Sequence, residues 1–102
     1  MTIRLFTDLP QPQRDRLAFI ELRLRFVGET RRQDLISRFG IQAAAATRDI
    51  GFYKELAPDN LDYNTKSKIY TFGEGFKPVF DFPPERAYLA FTRLWGRRTS
   101  AI

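Results

Sequence analysis

The chain has 102 residues, of which 43% are hydrophobic and 15% aromatic, a composition that fits one small folded domain and excludes a disordered tail. Lysine and arginine outnumber aspartate and glutamate by 17 to 12, giving a formal charge of +5. Such a balance is typical of domains that bind nucleic acid, although a basic surface kept for solubility fits it too.

The absence of cysteine and histidine excludes disulfides and thiolate zinc sites and removes the most common general base. No signal peptide and no apolar run of about 18 residues is present, so we expect a cytoplasmic chain.

The first predicted helix covers residues 13–27, after an arm that ends in Pro-Gln-Pro and before a terminating Gly28. Its apolar residues form two stripes about 150° apart, since a helix turns by about 100° per residue. A surface helix needs only one apolar stripe, so we expect partners on two sides, one of them outside the main core. One stripe comprises Leu17, Ile20, Leu24 and Val27, and the other comprises Phe19, Leu22 and Phe26.

A second helix is predicted over residues 30–39, where Thr30 and Gln33 have the spacing of a capping box. Gly40 then supplies a left-handed turn that other residues resist. A third helix follows over residues 42–56 and is stopped by Pro-Asp-Asn. The residues expected in the core are Leu35, Ile36, Phe39 and Ile41, together with Ala46, Ile50 and Tyr53 of the third helix.

Two short strands are predicted at residues 61–63 and 68–72, joined by a polar turn. An irregular segment and a last helix at residues 85–95 end the chain. The order of helix, helix, glycine turn, helix and ribbon predicts a winged helix-turn-helix, mostly α with a small β-ribbon and an extra C-terminal helix. We expect residues 1–102 to form one domain with its core at 13–72. We also expect the aromatic segment 73–98 to mediate dimerisation.

In a helix-turn-helix, the second helix of the pair lies in the major groove of double-stranded DNA. The third predicted helix therefore presents to DNA the side that lies opposite its core residues. Arg48 has the geometry for a guanine and Gln42 for an adenine. Thr47 and the alanine methyls suit a thymine methyl or a nearby phosphate. The predicted DNA-facing residues are Gln42, Ala43, Ala44, Thr47, Arg48 and Gly51.

The run of four alanines at residues 43–46 has two interpretations. Alanine is the best helix former, so propensity alone accounts for it. Alternatively, bulk is omitted so that the helix lies deep in the groove, in which case hydrogen-bond readout is sparse and DNA shape carries part of the specificity.

Five further cations are candidate phosphate ligands. Arg31 and Arg32 lie in the first turn of the second helix, where cations are unfavourable because the helix N-terminus is already positive. A DNA phosphate there would satisfy both side chains, whereas the alternative is a solvated surface pair. Lys66 and Lys68 lie near the tip of the ribbon, where polar residues are also ordinary turn chemistry, and Lys54 is the weakest candidate of the five.

Asp49 of the third helix would repel phosphate if it were exposed. We therefore expect it to pair with an arginine such as Arg38, in a structural rather than a chemical role.

The segment 32–41, with the sequence RQDLISRFGI, resembles the helix-turn-helix of bacterial WYL-domain transcription regulators, in particular the BrxR and CapW type of phage-defence regulators. Segments 16–21, 47–53, 56–63 and 68–70 extend the resemblance to about residues 14–80. It implies a homodimer that binds an inverted-repeat operator and represses defence genes. It also implies a ligand-sensing domain that these residues do not include. The positions it assigns to DNA contact are Gln42, Ala43, Ala44, Thr47 and Arg48, with Lys66 and Lys68 on the wing.

The sequence departs from that family at two positions of the third helix. The family usually has Ser or Thr in place of Gln42 and often Gln in place of Ala45. The operator sequence is therefore expected to differ.

Two function classes follow from these patterns. The first is a dimeric, sequence-specific DNA-binding repressor associated with the bacterial nucleoid. The alternative is a winged-helix protein-interaction module, for example a phage or plasmid product that docks on a regulator or polymerase, since fold does not fix function. Enzymatic activity is not expected, because the only glycine-rich string, at residues 73–75, lacks the lysine and spacing of a phosphate loop. We expect no metal, no cofactor and no membrane partner.

Overall fold

The computed structural model describes residues 9–80 of the chain. The predicted last helix, and most of the segment expected to mediate dimerisation, lie outside the described residues. Within the described range, the order of elements is that of a winged helix with three helices and a small antiparallel sheet. The elements are α1 (Gln11–Phe26), β1 (Glu29–Thr30), α2 (Arg32–Phe39), α3 (Ala43–Leu56), a 3-10 turn (Pro58–Asn60), β2 (Leu61–Asn64) and β3 (Ile69–Phe72).

Helix α1 is buried on both of its apolar stripes within the single chain. Phe19, of the second stripe, is fully buried and packs edge-on against Phe39 of α2, with ring centroids 5.4 Å apart. Leu22, of the same stripe, is only 2% exposed. Two-sided burial is thus as predicted, but the second side does not require a partner outside the chain. Only the end of the helix, at Phe26 and Val27, leaves large apolar side chains exposed.

The sheet has a third strand that the sequence did not predict. Strand β1 consists of two residues and pairs antiparallel with β3, so that the strand order is β1-β3-β2. Thr30 lies opposite Tyr70 in this pairing and is fully buried. The two ribbon strands themselves form as predicted, with Tyr63 opposite Tyr70.

The predicted capping box at Thr30 and Gln33 is wrong by one residue. Because the Thr30 backbone pairs in β1, the N-cap of α2 is Arg31. The Asp34 carboxylate accepts a hydrogen bond of 2.9 Å from the Arg31 N–H. The Gln33 side chain instead donates to the Ser37 hydroxyl at 3.0 Å.

The turn between α2 and α3 and the packing of α3 are as predicted. Gly40 adopts the left-handed conformation with a φ of 66° and ends α2. The fully buried Ala46 has no bulk to separate α2 from α3, which allows these helices to pack closely. The predicted core residues are buried or partly buried against the core, whose buried cluster comprises Leu17, Phe19, Ile20, Leu24, Leu35, Ala46, Ile50, Tyr53, Leu56, Ala57, Leu61 and Phe80.

Asp49 of α3 is buried and forms an ion pair, but its partner is Arg16 of α1. Gln13 adds a hydrogen bond of 3.3 Å to the same carboxylate. The predicted partner, Arg38, is wrong, because Asp49 lies on the flank of α3 that packs against α1. The Arg38 guanidinium instead lies over the ring of Phe39, 5.1 Å from its centroid.

A buried carboxylate ties the chain beyond the ribbon to the helices. Glu21 of α1 is 1% exposed and accepts hydrogen bonds from the Tyr53 hydroxyl at 2.7 Å and from the N–H groups of Val79 and Phe80 at 2.9 and 3.0 Å. Burial raises the pKa of the Glu21 carboxyl and of the Tyr53 hydroxyl. These bonds fix the segment at residues 79–80 against α1 and α3.

Asn60, at the end of the 3-10 turn, extends this network. Its side-chain amide donates to the Tyr53 hydroxyl at 3.0 Å and to the Lys77 carbonyl at 2.7 Å. Its side-chain oxygen accepts from the Lys77 N–H, also at 2.7 Å. The Tyr53 side chain of α3 is therefore held from two directions, which fixes the rotation of this helix about its axis.

Candidate nucleic-acid interface

Helix α3 presents a row of small and polar residues to solvent on the side opposite its core. Its buried side is defined by Ala46, Ile50 and Tyr53, which leaves the first half of the opposite side free of packing. The side chain of the N-cap residue Gln42 makes no capping hydrogen bond. The exposed residues on this side are Gln42, Ala43, Ala44, Thr47, Arg48 and Gly51.

A groove of about 560 Å³ separates the first half of α3 from the β-ribbon. The start of α2 forms its third wall. Among the described residues that line it, three are cationic and none is acidic, so that the groove has a positive potential suited to an anion. Its lining residues are Arg31, Arg32, Gln33, Ile36, Ala43, Thr47, Tyr63, Ser67, Lys68 and Tyr70.

A hydrogen bond joins α2 to α3 between two residues that line this groove. Nη1 of Arg32 donates to Oγ1 of Thr47 at 3.2 Å, and the Thr47 hydroxyl donates to the Ala43 carbonyl at 3.0 Å. Arg31 has a different neighbour, since its Nη2 lies 3.5 Å from a carboxylate oxygen of Glu29. The two arginines of the α2 N-terminus therefore differ, one held by a neutral hydroxyl and the other beside a carboxylate.

The wing is built by an asparagine turn. The Asn64 side-chain oxygen accepts hydrogen bonds from the N–H groups of Lys66 and Ser67, at 2.9 and 3.0 Å. Lys68 follows with a positive φ of 61° and donates its N–H to the Asn64 carbonyl. Lys68 lines the groove, whereas Lys66 is exposed at the tip and does not line it.

Two tyrosines form the groove side of the ribbon. The rings of Tyr63 and Tyr70 lie 4.6 Å apart, and Tyr63 is 44% exposed. Burial, followed by the neighbouring Tyr63, raises the pKa of Tyr70, and the nearby Arg32 opposes the shift. The opposite face of the sheet carries Glu29 and Asp62, because residues alternate between faces along a strand. The sheet thus has an acidic outer face and an uncharged aromatic face toward the groove.

A protein-family model for the winged helix-turn-helix domain of the BrxR transcriptional regulator matches residues 12–93, most of the chain. The chain belongs to this family. The observed fold has the helix-turn-helix and the wing that such a domain requires, and the predicted fold class is confirmed.

The chain is similar to proteins from three bacteria, each named a DNA-binding transcriptional repressor CapW. The Stenotrophomonas maltophilia protein is 45% identical over 67 residues, which is 66% of this chain and 22% of the relative. The Pseudomonas aeruginosa protein is 42% identical and an Escherichia coli protein 40% identical, each over 77 residues, or 76% of this chain and 26% of the relative. The chain therefore spans about a quarter of the length of these curated relatives.

The ten predicted contact residues of this BrxR-type domain are exposed, but they lie in four places. Five of them line the groove, namely Arg31, Arg32, Ala43, Thr47 and Lys68. Gln42, Ala44 and Arg48 lie beside it on α3. Lys66 lies at the wing tip, and Lys54 lies about 10 Å beyond Thr47 along the helix axis, at about 1.5 Å per residue. Five further lining residues were not predicted as DNA contacts, namely Gln33, Ile36, Tyr63, Ser67 and Tyr70. Tyr63 is the large exposed side chain among them, and strand alternation from the buried Leu61 is the signal that could have placed it on this face.

The described residues contain no cluster of three or more histidine, cysteine, aspartate or glutamate residues positioned to hold a metal ion. Within residues 9–80, no helix combines the length and apolar character needed to cross a membrane.

Proposed function

We propose that this chain binds double-stranded DNA sequence-specifically and represses transcription. The observation that carries the proposal is the groove with three cations and no acidic lining residue among those described, directly beside the exposed side of α3. Membership of the BrxR-type family and relatives named as DNA-binding repressors support the same function.

Helix α3 would occupy the major groove, with base contacts made by its N-terminal half. Arg48 and Gln42 are the two long polar side chains there, suited to guanine and adenine respectively. Ala44 and Gly51 add little bulk, so that the helix axis can approach the bases closely. With two polar readers in each half-site, sequence-dependent DNA shape supplies part of the specificity.

A homodimer on an inverted repeat is the arrangement we propose for binding. Two such domains about 34 Å apart would read successive turns of the duplex on one side. The exposed apolar side chains of Phe26, Val27 and Phe72 support association through this domain. Regulation of phage-defence genes, association with the nucleoid and control by an effector-sensing domain extend the same proposal, supported by the family resemblance.

Selection of bound sequences from a random duplex library tests the function directly. We expect one enriched inverted repeat, bound more tightly than scrambled duplex, with an affinity that falls steeply as salt increases. Binding without sequence preference would contradict the proposed regulator.

One observation favours a second candidate function. Phe72 is 46% exposed and stacks on Phe76, with ring centroids 4.6 Å apart. An exposed aromatic ring that is held by a stacked neighbour is suited to a protein-docking site. If the chain binds no duplex even at low salt, the interaction module is the better hypothesis.

A further inference from the structure

We infer that Thr47 is a positioning residue that acts on DNA through Arg32. In this arrangement, the Thr47 hydroxyl holds the Arg32 guanidinium in the groove, where it contacts the phosphate backbone of one DNA strand. The inference rests on the proposed function and adds to it that Thr47 orients the side chain of Arg32, whereas Arg32 itself contacts the phosphate.

The hydrogen bonds of Thr47 leave its hydroxyl unable to donate to DNA. A threonine hydroxyl has one proton, and that proton is donated to the Ala43 carbonyl at 3.0 Å. The oxygen also accepts from Arg32 at 3.2 Å. One acceptor lone pair of the oxygen and the γ-methyl remain available to DNA, and the methyl suits a thymine methyl.

Arg32 is the better placed of the two α2 arginines to bind an anion. Its guanidinium has five N–H donors, of which the Thr47 oxygen takes one. Thr47 carries no charge, so the full positive charge of Arg32 remains available, whereas Arg31 lies beside Glu29. The effect of Arg32 on the pKa of Tyr70 places its charge near the ribbon wall of the groove.

The position of the groove identifies the anion as backbone phosphate. If α3 lies in the major groove, the strand that borders it passes beside α3 on the side of the wing. That space is the groove, with Lys68 and the exposed ring of Tyr63 on its far wall. An arginine that is already held in place loses less side-chain entropy on binding than a free one. The Thr47 contact therefore preorganises a phosphate ligand.

Two substitutions at Thr47 separate its hydroxyl from its methyl. Thr47→Val keeps the shape and the methyl but removes the acceptor for Arg32. We expect about threefold to tenfold weaker binding to every duplex, the range of one net hydrogen bond. We also expect the salt slope, which is the slope of the logarithm of the binding constant against the logarithm of the salt concentration, to be smaller in magnitude by up to about one. Thr47→Ser keeps the acceptor, so we expect an unchanged salt slope with a weaker preference at one base pair.

Thr71→Val is the matched control, because it removes an exposed threonine hydroxyl from the acidic face of the sheet, between Glu29 and Asp62. It should leave the salt slope unchanged. Thermal unfolding of each variant of the 102-residue chain checks that the fold is retained.

A double-mutant cycle with Arg32→Gln decides whether Thr47 acts through Arg32. If it does, Thr47→Val has no further effect on affinity or salt slope once Arg32 is replaced. Additive losses, or a Thr47→Val variant with the parent's salt slope, would overturn the inference while leaving the proposed DNA binding intact. A parent chain that binds no duplex would overturn both.

Discussion

Arg48 and Lys66 are both exposed cations of the interface, but they are expected to contact different parts of DNA. Arg48 lies on the solvent side of α3, where we expect a guanidinium to reach base edges, and Lys66 lies at the wing tip, where we expect an amine to reach the backbone. Arg48→Ala should cost about 1–3 kcal/mol of binding free energy and relax specificity at one base pair. Lys66→Ala should weaken binding to all sequences alike and lower the salt slope by about one. Titration of matched and mismatched duplexes measures both, and an Arg48→Ala variant with the parent's affinity for its best site would refute the assignment.

The buried Glu21 predicts a pH effect on stability. Burial raises its pKa above the ordinary value of 4.5, against the opposing hydrogen bonds from Val79, Tyr53 and Phe80 and the nearby charge of Arg25. Because the folded chain holds this proton more tightly than the unfolded chain, the Glu21 contribution to the free energy of unfolding rises as pH falls through the folded pKa toward 4.5.

Glu21→Gln isolates this contribution. At about pH 7 the variant should be less stable by about 1–3 kcal/mol, because an amide NH2 would face a backbone N–H donor. The deficit should grow at about pH 5. Urea denaturation of both proteins at the two pH values measures it, and a deficit that shrinks at the lower pH would be the contrary result.

At single residues, burial or exposure could be predicted where apolar residues recur at the spacing of a helix. The spacing of Ala46, Ile50 and Tyr53 was enough to identify the buried side of α3, and therefore the exposed side that carries Arg48. The partner of Asp49 was not predictable, because Arg16 lies 33 residues away and nothing in local spacing distinguishes it from Arg38. The roles of Glu21 and Asn60 were missed for the same reason, since their partners lie on segments brought together only by folding.

At the scale of elements, the same substitution at two glycines should have opposite effects on stability. Gly40 has a φ of 66°, so Gly40→Ala forces a left-handed conformation on alanine and should cost about 1–2 kcal/mol. Gly51 lies in α3, and among the described residues nothing beyond its own stretch of helix lies within 4 Å of where a Cβ would be built. Gly51→Ala should therefore stabilise the chain by about 0.5–1 kcal/mol. Thermal or urea denaturation of the two variants compares them directly, and destabilisation by Gly51→Ala would contradict this account of α3.

Gly51 also bears on the interpretation of the alanine run. Helix propensity explains alanines 43–46 but not a glycine one turn later, which weakens a helix. Packing within residues 9–80 does not require it either, since the space around it is open there. A close approach by DNA would explain it, and we expect Gly51→Ala to weaken duplex binding even though it stabilises the fold.

Sequence patterns predicted those helices and strands that are long enough to show a repeating spacing of apolar residues. Helices α1, α2 and α3 and both ribbon strands were predicted to within about two residues at each end. Strand β1 was missed because two residues cannot show alternation, and its sequence, Glu29–Thr30, equally suits a helix start. The wing is therefore a three-stranded sheet anchored at the N-terminus of α2, and not a free ribbon.

At the scale of the whole molecule, the described part of the core extends to residue 80. Phe80 belongs to the hydrophobic core, and its N–H and that of Val79 bond to Glu21, so residues 9–80 contain the contacts that hold α1 to α3. The sequence beyond residue 80 is rich in apolar and aromatic residues, among them Phe91 and Trp95. We expect that segment to mediate dimerisation and the winged-helix fold to persist when it is removed.

A chain ending at residue 80 tests this division. We expect it to unfold cooperatively and to bind single half-sites, because the described core cluster and the exposed side of α3 both lie within residues 9–80. It should sediment as a monomer, whereas the 102-residue chain should sediment near twice 12.0 kDa. Loss of the dimer should also weaken binding to an inverted repeat far more than binding to one half-site, since the second half-site no longer benefits from a high effective concentration. A truncated chain that still sediments as a dimer would place the interface within residues 9–80, where Phe26, Val27 and Phe72 are the exposed apolar side chains to replace next.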